Sequence, residues 1–138
     1  MWICSQFGFF SIVEKRDGKI HVRARAKKDL RLLKRVCSIK GKIQVDRRAD
    51  YQFRIFVDRN TLRLIMRVLA ETLNYDNFKN RIYELPDQRD KLTYYHDIWL
   101  TMLGYQMRGT EAEPSLVPLG PEEETTTLAR PASPPDGQ

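Results

Sequence analysis

The sequence predicts an α+β fold: a small antiparallel or mixed sheet in the order β-β-α-β-α-α, covered by helices as a two-layer sandwich. Three observations predict it. Residues 2–26 are rich in β-branched and aromatic side chains and pass into strict period-two alternation. Residues 51–57 alternate again. The segments at 27–37, 62–73 and 87–107 instead repeat their apolar residues every three or four positions. A chain of 138 residues has room for one hydrophobic core. Hydrophobic residues make up 41% and charged residues 30%, close to the globular average, which excludes a wholly disordered chain and a multidomain enzyme.

The first strand is expected over residues 2–14, carrying Trp2, Ile3, Phe7, Phe9, Phe10, Ile12 and Val13. Asp17-Gly18 supplies a tight turn, and the second strand follows with Ile20, Val22, Ala24 and Ala26 on one face and His21, Arg23 and Arg25 on the other. Lys27 to Cys37 reads as an amphipathic helix on Leu30, Leu33, Val36 and Cys37. Ser38 to Asp50 is a basic connection with room for a short strand at Lys42–Val45. The next strand places Tyr51, Phe53, Ile55 and Val57 on one face, with Gln52, Arg54 and Phe56 opposite. Asp58 or Asn60 caps a helix striped by Leu62, Ile65, Met66, Leu69 and Leu73. Asn74-Tyr75-Asp76-Asn77 breaks it, and Phe78 to Leu85 adds one or two turns. Pro86-Asp87 starts a last helix carrying Leu92, Tyr95, Trp99, Met102 and Leu103 to about Met107.

Composition changes after Met107. Residues 109–138 hold six of the seven prolines together with Glu122-Glu123-Glu124 and Thr125-Thr126-Thr127. Such a stretch cannot bury enough apolar surface to offset its ordering entropy, so the expected organisation is one domain over 1–108 and a disordered acidic tail over 109–138. The N-terminus carries no basic flank or small-residue cleavage site, and no run of about 18 apolar residues occurs. The expectation is a cytoplasmic protein with no membrane partner and with reduced thiols at Cys4 and Cys37, which fill core positions.

Several stretches resemble a group of small uncharacterised bacterial proteins. They are the opening Met1-Trp2 with Gly8-Phe9-Phe10-Ser11-Ile12-Val13, then Val22-Arg23-Ala24-Arg25, Ala49-Asp50-Tyr51, and Asn74-Tyr75-Asp76-Asn77-Phe78-Lys79. The likeness covers roughly residues 1–100. It implies a one-domain bacterial cytosolic protein and carries over no catalytic or binding residue.

Charge gives the leading functional expectation. Net charge is +6, but residues 1–108 hold 23 Lys and Arg against 12 Asp and Glu, and the tail holds one Arg against six acids. Within residues 15–67 the count is 18 against five. Arg23 and Arg25 on the second strand, Lys28, Arg31, Lys34 and Arg35 on the first helix, and Arg47 and Arg48 in the connection form the predicted site for nucleic acid or another polyanion. The strand aromatics are expected to fill the core, with base stacking as the alternative for any left exposed. No RNA-recognition strand pattern, GxxG loop or zinc-finger spacing accompanies them.

The function so predicted is a non-enzymatic binding or regulatory module. The alternative is a protein-interaction module in which helix 62–73 or 87–107 pairs with itself, as a homodimer, or with a partner. A small nuclease or toxin-like enzyme requires His21, His96 or Asp97 to share a pocket. Gly-rich phosphate loops, a GxSxG elbow, HExxH and clustered carboxylates at metal-binding spacing are absent from the sequence, so no cofactor or metal is expected.

Overall fold

The Asp17-Gly18 turn forms as its residues dictate. Gly18 takes φ +75°, and the Asp17 carboxylate accepts the Lys19 amide proton at 3.2 Å. The turn joins β2 (Gly8–Glu14) to β3 (Ile20–Ala24) in a computed structural model that describes residues 1–109. The tail expected over 109–138 lies outside the described residues, apart from Gly109.

The sequence predicts one strand over residues 2–14, whereas the structure has two. β1 (Trp2–Ser5) folds back on β2 in the register Trp2↔Ser11 to Ser5↔Gly8. Neither Gln6 nor Phe7 is a turn former, so the local sequence conceals this hairpin. The Ser5 hydroxyl holds it, accepting the Phe7 amide proton at 3.2 Å and donating to the Gly8 carbonyl at 3.1 Å. Gly8 sits at φ +142°, and a Cβ there would fall 2.5 Å from the Asp29 side chain. Buried Gln6 then ties the turn to distant helices, donating to Thr72 O at 2.9 Å and accepting from Arg81 Nε at 2.7 Å.

β4 (Gln44–Val45) falls inside the short strand expected at 42–45, and β5 is Phe53–Val57. The five strands form one antiparallel sheet ordered β1-β2-β3-β5-β4. Among the described residues, four helices complete the α+β sandwich: α1 (Lys27–Val36), α2 (Arg59–Glu71), α3 (Phe78–Glu84) and α4 (Leu92–Gly109). Asp58 caps α2 by accepting Thr61 N–H at 2.7 Å, and Asn77 caps α3 through Asn80 N–H at 3.0 Å. The last helix starts later than residue 87, because a 3-10 turn at Arg89–Lys91 precedes it.

One face of the sheet is closed. Phe10, Ile12, Ile20, Val22, Ala24, Ile55 and Val57 meet Leu30 and Leu33 of α1, Cys37 at its C-terminal end, and Ile65 of α2. Val68, not Met66, completes the packed side of α2, which leaves Met66 and Leu73 exposed. Cys37 is buried, but Cys4 is exposed, because strand alternation turns Ile3 inward and Cys4 outward. Among the described residues, no helix is long and apolar enough to cross a membrane.

Candidate nucleic-acid interface

Strand alternation builds a second surface on the back of the core. Register sets Trp2, Ser11, Arg23, Arg54 and Gln44 side by side in one row across all five strands. A parallel row holds Val13, His21 and Phe56, and Phe9 stands opposite Cys4. Trp2 is 72% exposed and Phe56 49%. Trp2 meets Phe9 edge-on at 5.9 Å, and His21 meets Phe56 at 4.6 Å. The strand aromatics therefore divide. Phe10 is buried, Phe7 and Phe53 pack against the core, and Phe9 and Phe56 stay on the open face with Trp2.

The arginines of this face are held in place by neighbours. Arg23 Nη2 donates to Ser11 Oγ at 2.8 Å, and Arg25 Nη1 donates to Asp50 O at 2.9 Å. Both guanidinium groups lie on the ring of Tyr51, at 4.8 and 4.5 Å from its centroid. The sequence pattern sets Tyr51 in line with Phe53, Ile55 and Val57. Because β5 begins at Phe53, Tyr51 escapes the alternation and its ring supports the arginines instead. Arg54 donates to Tyr51 O at 3.2 Å and lies 3.5 Å from the Asp46 carboxylate. His21 Nδ1, Arg23 Nε, Arg54 Nε and Tyr51 Oη are buried here without a protein partner. Burial, then the positive charge of Lys15, Arg54 and Arg23, lowers the His21 pKa below its ordinary value, against the opposing pull of Asp17. The imidazole is therefore neutral at neutral pH.

At the end of the sheet, Phe9 and Arg25 continue into a cavity of about 490 Å³, lined also by Ala26, Asp29, Lys91 and Tyr95. Asp29 is buried in the first turn of α1, pairing with Lys91 Nζ at 2.8 Å and accepting Phe9 N–H at 3.2 Å. Glycine at position 8 is what lets that carboxylate approach the strand. Tyr95 Oη is buried without a partner, and desolvation with the nearby Asp29 charge raises its pKa strongly. Nothing in the sequence singled out Asp29. A buried acid in a basic helix is visible only once its partner sixty-two residues away is placed beside it.

The eight basic residues predicted as one site do not share a surface. Arg23 and Arg25 lie together on the open face, joined by Arg54, which sequence reasoning placed on that side of the strand and left out of the site. Lys28, Arg31, Lys34 and Arg35 belong to α1, which packs on the opposite face through Leu30 and Leu33. Lys28 pairs with Asp90 at 2.7 Å, and Lys34 bonds the Gly41 carbonyl. Arg31 and Arg35 are exposed beside Asp87 and Gln88. Arg47 and Arg48 are exposed in the turn between β4 and β5, next to the Asp46 that pairs with Arg54.

The histidines stay apart. His21 stands on the sheet, His96 stacks on Trp99 of α4 at 5.7 Å, and of the enzyme trio only Asp97 lines the 490 Å³ cavity. Among the described residues, no group of three or more His, Cys, Asp or Glu is placed to hold a metal. No protein family, curated protein or solved structure matches the chain.

Proposed function

We propose that this protein is a non-enzymatic binding module for single-stranded nucleic acid, and that the strand lies across the open face of the sheet. One observation carries the reading. Trp2, Phe9 and Phe56 present rings on the same face as Arg23, Arg25 and Arg54, two of whose guanidinium groups are already stacked on Tyr51. Rings of this kind offer stacking platforms to splayed bases, and the arginines neutralise the phosphates between them. A duplex hides the base faces that such rings need, so single strands are preferred.

Fluorescence anisotropy with labelled single- and double-stranded RNA and DNA, across a salt series, tests the reading. Single strands are expected to bind more tightly than duplexes. Three neutralised phosphates give a log–log salt slope of about −2. Trp2→Ala and Phe56→Ala are each expected to cost about 1–3 kcal/mol of binding. Arg31→Ala plus Arg35→Ala, on the far side of the sheet, is expected to change little. No binding at about 0.1 M salt, or equal losses from both pairs of substitutions, overturns the proposal.

A further inference from the structure

α4 is built for burial and is not buried by its own chain. Among its residues Tyr95 alone is buried. Tyr94 is 69% exposed, Ile98 42%, Met102 58% and Tyr105 67%. From Ile98 to Met107 the helix carries no charged side chain at all. A contiguous apolar surface of this kind on a folded protein marks an interface.

The geometry of the helix says which side is free and what fits it. At 3.6 residues per turn, Tyr94, Ile98, Met102 and Tyr105 fall on one stripe, spaced by four, four and three as in a helix-pairing seam. Trp99 and Leu103 lie round the helix on the side of α3, where Lys79 Nζ sits 4.6 Å from the Trp99 ring centroid. The stripe is thus turned away from α3. The two formally charged residues of α4, Asp97 and Arg108, are eleven positions apart and so share one flank of the stripe. They are also symmetric about the Met102–Leu103 midpoint.

We infer that α4 pairs antiparallel with α4 of a second copy of this chain along the Ile98–Met102–Tyr105 part of the stripe, with Asp97 facing Arg108 of the second copy. In an antiparallel pair the same flanks face each other, so two oppositely charged pairs form at once. A parallel pair sets each flank against the opposite flank of the second copy, so Asp97 and Arg108 lie on outer edges and no such pair forms. The charges therefore select both the partner and its direction. Tyr94, Asp97 and Ile98 also line the cavity into which Phe9 and Arg25 of the sheet face continue, so the pairing is tested on protein free of nucleic acid.

Analytical ultracentrifugation of the full chain, free of nucleic acid, at up to about 100 µM tests it. A dimer is expected, and Met102→Glu is expected to give a monomer with unchanged far-ultraviolet circular dichroism, because that side chain leaves no core contact behind. Asp97→Arg alone or Arg108→Asp alone is expected to weaken the dimer about tenfold. The two reversals together are expected to restore it to within about threefold of the parent. Phe56→Ala is expected to leave the dimer intact. A monomeric parent, a dimer untouched by Met102→Glu, or a double reversal no better than the single ones overturns the inference.

Discussion

The two faces of the sheet are written by the same strands, yet one is closed by helices and the other is open. On the closed face aliphatic side chains meet the leucines of α1, and Val22, Ala24, Leu30 and Leu33 lose all contact with water. On the open face the same alternation sets out arginine, histidine and aromatic rings. A helix laid there would have to desolvate three guanidinium groups, and burying a charge without full pairing costs more than the rings would return. Small anchors nearby, Ser11, Tyr51 and the Asp50 carbonyl, hold Arg23 and Arg25 without neutralising them, while Arg54 also pairs with Asp46. The difference teaches that in a two-layer sandwich the helix-free face is where a strand can keep charge in register.

The comparison can be broken from either side. The largest effect is expected on the closed face. Leu33→Ala should destabilise the protein by about 2–5 kcal/mol in chemical denaturation, while oligonucleotide affinity of the folded protein holds. Next comes the joint between β2, α1 and α4. Asp29→Asn leaves Lys91 without its carboxylate and should cost about 3 kcal/mol. Gly8→Ala pushes on the same carboxylate, so the pair of substitutions should cost less than the sum of the two.

The smallest effect belongs to His21. Its folded pKa lies below the unfolded value of about 6.5, so the unfolded chain takes up the proton first as pH falls. Stability is therefore fully present above pH 6.5 and declines through the window just below it. His21→Gln should flatten this decline in thermal melts taken between about pH 7 and 5. An unchanged decline would show that His21 is hydrated as freely in the fold as outside it.

Much of the closed face was legible without coordinates. The Asp17-Gly18 turn, the period-two runs at 20–24 and 53–57, the three- and four-residue spacing of α1, and a cap at Asp58 or Asn60 are short-range patterns, each carrying its own physical cause. The alternation put Arg54 with Phe56 on one face of the strand, but the expectation that the strand aromatics fill the core holds for Phe10 and not for Phe9 or Phe56. The alternation failed at the β1–β2 turn and at Tyr51. In both places backbone that departs from the strand is stabilised by contacts outside the local pattern, the Ser5 hydroxyl and the two arginines.

Local order in the amino acids decides which segments become strands and helices, and which side of each is apolar, because those depend on neighbours two to four residues away. Charge counted along the chain does not decide which cations share a surface. The sheet itself parted Arg23 and Arg25 from Arg31 and Arg35, brought in Arg54, and paired Lys28 with Asp90 and Asp29 with Lys91. Those are long-range matters, set by how strands register and how helices dock, and sixty residues of intervening chain leave no trace of them in the sequence.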